Sequence, residues 1–131
     1  MSKRKRNSFP KISVVIPSLN KGKYIGETLE SIVTQKYPNY EIIIQDGCST
    51  DGTLNIIKKY AQKNPKLIKW ESKKDKGQVN AINIGMKKAK GEILAYINAD
   101  DVYEKGAFMK VGKYYKKYPK TTWIAGGREN Y

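Results

Sequence analysis

At 131 residues with 39% apolar side chains, the chain has the size and composition of one globular domain. Its only cysteine, Cys48, excludes an internal disulfide, and the absence of histidine excludes Cys/His zinc spacings and histidine-based triads, leaving carboxylates, hydroxyls, amides, lysines or a carboxylate-bound hard cation for any chemistry. The net charge of +14 suits an anionic partner, whether nucleic acid, an acidic membrane surface or a phosphorylated small molecule, and does not choose among them.

Residues 1–10 read as a basic, disordered tail, and its Lys3-Arg4-Lys5-Arg6 run would add weak attraction to anionic lipid. Nothing approaches the roughly 20 apolar residues of a membrane span, and no apolar signal segment follows the basic start, so the expectation is a soluble protein facing the cytoplasm, with peripheral contact at the inner face of a membrane. Residues 11–131 read as the folded part.

Lys11 to Ile16 predicts a buried strand, because Ile12, Val14, Val15 and Ile16 form a nearly continuous apolar run that Pro17 ends. Ile25, Leu29, Ile32 and Val33 then recur at helical spacing over Lys23 to Gln35. Tyr40 to Gln45, with its Ile42-Ile43-Ile44 run, predicts a second buried strand ending at Asp46. The polar turn Gly47 to Gly52 leads into a helix with Leu54, Ile57 and Ala61 on one face. A weaker strand, Leu67 to Trp70, precedes a helix whose apolar stripe is Val79, Ile82, Met86 and Ala89. Ile93 to Ile97 predicts the next strand, running straight into Asn98-Ala99-Asp100-Asp101. A helix from about Gly106 to Tyr118 and a strand from Thr121 to Ala125 complete the series, and no internal repeat is visible.

Strands alternating with helices build right-handed βαβ units and a mostly parallel sheet with helices on its faces, so the fold class is α/β. Ligands in such sheets bind beyond the carboxyl ends of the strands, where strand order reverses. That rule collects Pro17-Ser18-Leu19-Asn20, Asp46-Gly47 and Asn98-Ala99-Asp100-Asp101 at one edge, bringing three carboxylates to one crevice. Clustered acids need a cation or hydrogen-bond donors, and oxygen ligands with open positions suit Mg2+ or Mn2+ bridging to phosphates. Neither a Walker loop nor Gly-x-Gly-x-x-Gly follows the first strand, so ATPase and dinucleotide readings lose their main support.

Ile16-Pro17-Ser18-Leu19-Asn20, Gln45-Asp46-Gly47-Cys48-Ser49-Thr50-Asp51-Gly52-Thr53, Asn83-Ile84-Gly85 with Ala89-Lys90-Gly91-Glu92-Ile93, and Asn98-Ala99-Asp100-Asp101 follow one another in an order that resembles family 2 glycosyltransferases. The resemblance spans about Lys11 to Phe108. It implies a GT-A fold, Rossmann-like, whose present portion binds a nucleoside-diphosphate sugar, most often a UDP-sugar, with Mn2+ or Mg2+. By the same resemblance, Pro17 and Ser18 line the nucleotide pocket, Asp46 accepts a hydrogen bond from the base, Lys76 and Gly77 lie near the nucleotide, Asp100 approaches the ribose, and Asp101 ligates the metal. The family's catalytic base is a carboxylate in an acceptor-binding half, which is expected to be missing from this chain, so no residue is named for that role. Asn98 stands where many members carry Asp, and Cys48 where Ser is usual.

Plainer readings stand beside several of these. Asp51 precedes Gly52-Thr53 and a helix, where an acid caps free N–H groups. Asp46 has the alternative of a turn-forming acid, and Asp101 that of a cap for the following helix. Asn80 and Asn83 either face the nucleotide or cap and solvate a surface turn. Phe108, Val111 and Tyr115 read as a core-facing stripe with a basic outer face, and the scattered helix lysines as a solvated surface.

Three function classes follow: a transferase or its donor-binding portion acting on an unknown glycan, lipid or protein acceptor, a non-catalytic nucleotide-sugar-binding module or half of a split enzyme, and a nucleic-acid binder. The last rests only on charge and ten tyrosines, lacks RNP-like or helix-turn-helix patterns, and is not expected. A sheet edge or apolar face left open would favour self-association, so oligomeric state stays open.

Overall fold

The computed structural model describes residues 9–119. The basic run Lys3 to Arg6 and the strand expected over Thr121 to Ala125 lie outside the described residues. Within them the elements are β1 (Ile12–Ser18), α1 (Ile25–Val33), β2 (Tyr40–Asp46), α2 (Thr53–Lys63), β3 (Ile68–Ser72), α3 (Gln78–Lys88), β4 (Ile93–Tyr96) and α4 (Ala107–Lys117). Every element expected there is present, in order.

The four strands form one parallel sheet in the order β3-β2-β1-β4. The chain steps outward from β1 to β3 and then returns across the sheet to β4, so the strand order reverses between β1 and β4. That reversal is the switch point at which α/β sheets open a binding crevice.

Strand alternation decides which helix covers which face. Val14, Ile16, Ile42 and Ile44 share a core cluster with Ile25, Leu29, Ile32 and Ile57, so this face carries α1 and α2. Phe108 of α4 and Tyr37 join the same cluster through an edge-to-face ring contact at 6.3 Å. The alternate residues face α3: a Cβ placed on Gly85 would lie 2.4 Å from Val15 Cγ1. Both faces of β1 and β2 are thus covered, which is why they read as continuous apolar runs.

Helix α3 corrects the sequence reading. Its buried residues are Ala81 and Gly85, while Val79 is 73% exposed. The expected stripe of Val79, Ile82, Met86 and Ala89 followed the larger apolar residues, but α3 passes so close to Val15 that only small residues fit beneath it.

The α3 face also holds polar contacts. Glu41 Oε2 accepts hydrogen bonds from Ser13 Oγ at 2.6 Å and from the Lys90 N–H at 2.7 Å. Its Oε1 has no hydrogen-bond partner but lies 3.7 Å from Lys69 Nζ. Burial acts to raise the Glu41 pKa, yet these donors and the charges of Lys11 and Lys69 hold it below the ordinary value. Lys88 Nζ donates to Gln45 Oε1 at 3.0 Å and pairs with Glu71, tying the end of α3 to β2 and β3.

β1 extends beyond its expected end, through Pro17 to Ser18. Proline lacks a ladder donor, yet Pro17 is tolerated because of its phase. The Val15 carbonyl bonds Ile97 on the β4 side, and the Ser18 carbonyl bonds Gly47 on the β2 side. Pro17, in phase with Val15, therefore faces the β4 side beyond that strand's last pair, Val15 with Tyr96.

Candidate functional site at the carboxyl edge of the sheet

Parallel register brings Ser18, Asp46 and Ser72 side by side across the ends of β1, β2 and β3. Asp46 is fully buried, and both of its carboxylate oxygens are occupied. Oδ1 accepts from Ser18 Oγ and Ser49 Oγ, each at 2.6 Å. Oδ2 accepts from the Ser49 N–H and Ser72 Oγ, each at 2.8 Å. Burial pushes the carboxyl pKa up, but these four donors outweigh it and hold the pKa below the ordinary aspartate value. The carboxylate thus forms the floor of the crevice, held there by Ser18, Ser49 and Ser72. The turn-forming alternative contains part of the truth, since Asp46 folds the Ser49 turn back onto itself.

The second layer is the mouth of the crevice. Asn20 adopts a left-handed backbone, φ 52°. Its N–H donates to Ser49 Oγ at 2.8 Å and its Oδ1 accepts from the Thr50 N–H at 2.8 Å, fastening the β1 loop to the β2 loop. Asp51 caps as expected: Oδ1 accepts from the N–H and hydroxyl of Thr53, and Oδ2 from the Gly22 N–H at 3.0 Å.

After β3, Asp75 Oδ1 accepts from the Gly77 N–H at 2.9 Å, and its Oδ2 lies 2.9 Å from where a Cβ on Gly47 would stand. Gly77 has φ 113°, a conformation other residues rarely adopt, and it sets the start of α3. Lys76 is exposed, and its N–H donates to Asn80 Oδ1 at 3.0 Å, so Asn80 ties the first turn of α3 to the loop before it while Asn83 stays exposed.

The third layer comes from β4. Ile97 and Ala99 are buried in the core and anchor the segment, leaving Asn98, Asp100 and Asp101 at the edge. Gln78 Nε2 donates to Asn98 Oδ1, joining the start of α3 to the end of β4. Asn98 Nδ2 lies 3.4 Å from Asp101 Oδ2. The Asp101 carbonyl accepts from Thr28 Oγ1 at 2.6 Å, which fixes its backbone against α1. Helix α4 starts at Ala107 with Gly106 at its cap position, so Asp101 does not cap it. Asp100 is exposed and pairs with Lys21 Nζ at 3.3 Å across the β1–β4 crevice.

The three predicted clusters thus converge, but their acids do not form one group. Asp46 is held by hydrogen bonds at the floor, and among the described residues no set of three or more acidic, Cys or His side chains could hold a metal ion. Ser49, Ser72, Asp75, Gln78 and Lys21 also lie at this edge, and the sequence reading did not single them out. Only Ser49 had a local signal, its place in the turn after Asp46.

The Glycosyl transferase family 2 model matches residues 13–129, nearly the whole chain. The chain belongs to this family. The poly(ribitol-phosphate) beta-N-acetylglucosaminyltransferase TarS of Staphylococcus aureus is 38% identical over 98 residues, covering 72% of this chain and 17% of TarS. A dolichyl N-acetyl-alpha-D-glucosaminyl phosphate glucuronosyltransferase of Methanococcus voltae, acting with a diacetamido-dideoxy sugar by its name, is 38% identical over 123 residues, 88% of this chain and 38% of that protein. The crystal structure of S. aureus TarS 1–349 in complex with UDP-GlcNAc superposes with a TM-score of 0.77 at 31% identity, covering 83% of this chain and 32% of that one. The mannosyltransferase PcManGT of Pyrobaculum calidifontis, in complex with GDP-Man and Mn2+, gives 0.72 at 28%, covering 85% and 33%. This family 2 chain therefore has the GT-A fold and spans about a third of the solved structures it resembles.

Proposed function

We propose that this chain forms the donor-binding part of a glycosyltransferase that moves a sugar from a nucleoside-diphosphate sugar, a UDP-sugar first among candidates, to a glycan, lipid or protein hydroxyl. The observation that carries this reading is the convergence, at the β1–β4 switch point, of the Ser18–Asp46–Ser72 floor with Asn98, Asp100 and Asp101. The TarS neighbour bound to UDP-GlcNAc supports the choice of nucleotide.

In this reading Pro17 and Ser18 line the nucleotide pocket. Asp46 accepts a hydrogen bond from the base, with the serine donors around it holding its carboxylate ionised and in place. Lys76 and Gly77 border the nucleotide at the start of α3, where free N–H groups suit anions. Asp100 approaches the ribose. Asp101 contributes to a divalent cation site.

The residues fit a cation that arrives with the diphosphate rather than one caged by protein. Mg2+ and Mn2+ in phosphate sites commonly take one or two carboxylates and complete their shell with water and phosphate oxygens. Asp101 supplies one, and Asn98, in place of a further acid, lowers the local negative charge. Such a cation supplies Lewis-acid stabilisation of the charge that builds on the departing diphosphate. The protein's own part is to hold the donor in register and to keep Asp101 fixed through Thr28.

Among the described residues no helix is long and apolar enough to cross a membrane. A cytoplasmic site of action, with the basic surface against an anionic membrane, is part of the proposal.

Calorimetric titration with UDP, GDP and ADP, each with and without Mn2+, tests the reading. Metal-dependent binding of one nucleotide, lost in Asp101→Ala, is expected. Equal binding by wild type and Asp101→Ala would refute the metal assignment, and no binding of any nucleotide would refute the donor-site reading.

A further inference from the structure

We propose that Lys21 is a diphosphate-binding cation, held on Asp100 while the donor is absent and transferred to the diphosphate when it arrives. This rests on the donor-site reading above.

The main chain at Lys21 is fixed from three sides. Its N–H donates to Thr53 Oγ1 at 2.9 Å, and its carbonyl accepts from the N–H groups of Tyr24 at 2.9 Å and Ile25 at 2.8 Å. The preceding residue, Asn20, turns the chain through its left-handed backbone and is clamped to Ser49 and Thr50. The Lys21 side chain therefore projects from a fixed platform at the end of β1, beside the switch point.

Nζ reaches across that crevice to Asp100 Oδ2 at 3.3 Å. Asp100 adjoins Asp101, and the two are held apart from the buried floor acid, so Lys21 places a cation beside this pair of acids. The side chains of Lys21 and Asp100 are 39% and 40% exposed. Exposed pairs of this kind contribute little to stability, so the contact is cheaply exchanged. Lysine suits such an exchange, being a compact charge on a flexible four-carbon stem.

When a cation and a diphosphate occupy the acids, Asp100 gains other partners and the ammonium is left next to phosphate oxygens. A diphosphate concentrates more negative charge than the single carboxylate it replaces, so the ammonium is attracted more strongly there. The plainer alternative, a surface ion pair with no role in binding, predicts no effect on nucleotide affinity.

The test compares wild type, Lys21→Met and Lys21→Arg in titrations with UDP and with uridine, in Mn2+ buffer. The expected result is about a tenfold loss of UDP affinity in Lys21→Met, recovery of most of it in Lys21→Arg, and uridine affinity within about twofold throughout. Matching circular dichroism and melting curves would confirm that the variants fold. UDP affinity unchanged in Lys21→Met would overturn the proposal, as would an equal loss for uridine, which lacks the diphosphate. If wild type itself bound no UDP, the donor-site reading would fall and this proposal with it.

Discussion

Asp46 shows how a residue can be legible as important while its partners are not. Its place at a strand end followed by Gly47 marked it as a site residue, but its partners Ser18 and Ser72 lie 28 and 26 positions away and meet it only through the parallel register. No local pattern announces such partners, because strand pairing rather than sequence proximity selects them. The consequence is measurable as stability. A carboxyl whose folded pKa is held down contributes stability that is complete above the unfolded value, about 3.9, and is lost as pH falls through the lower folded value. Asp46→Asn should therefore lower the urea midpoint at pH 7, and its deficit relative to wild type should shrink as the pH drops below about 4. Urea unfolding at pH 7, 4 and 3 checks this, and a deficit that does not change with pH would contradict it. Ser72→Ala removes one of the four donors, and a loss of about 1 kcal/mol is expected in the same assay.

At the scale of elements, apolar runs and helical spacing were enough to find all eight elements between residues 9 and 119 in order, with ends shifted by one or two residues. Buried strands such as β2 are easy to find because the Ile42-Ile43-Ile44 run puts apolar side chains on both faces. The failure at α3 has a physical cause: periodicity ranks residues by hydrophobicity, whereas close packing selects them by size. Gly85→Ala should place a methyl group where Val15 already stands and destabilise the chain by about 1–3 kcal/mol. Val79→Ser, at a position the sequence pattern assigned to the core, should change stability by no more than about 0.5 kcal/mol. Denaturant midpoints of the two variants distinguish the faces directly, and a larger effect at Val79 would reverse the assignment of α3.

For the whole molecule, the topology that gathers the site follows from βαβ chirality and the single reversal between β1 and β4. Fold class and the position of the crevice were therefore readable from the order of elements alone. What was not readable is how charge is distributed around it, since Asp46 is held by hydrogen bonds from distant serines and Asp100 is paired with Lys21. The net charge of +14 should steer an anionic donor toward the protein. Raising ionic strength from about 10 to about 150 mM shortens the screening length from about 30 to about 8 Å. Stopped-flow association of UDP should then slow several-fold, while that of uridine should not. Equal salt dependence for the two would assign the positive charge a role in solubility alone.

The location of the donor site can be read most directly from backbone amide shifts of the isotopically labelled chain titrated with UDP and Mg2+. The predicted result is that the largest changes fall on Ser18, Ser49, Ser72, Gly77, Asn98 and Asp101, around the β1–β4 switch point. Changes concentrated instead on the groove between α1 and α2, lined by Glu30, Val33, Lys59, Tyr60, Lys63 and Asn64, would contradict it.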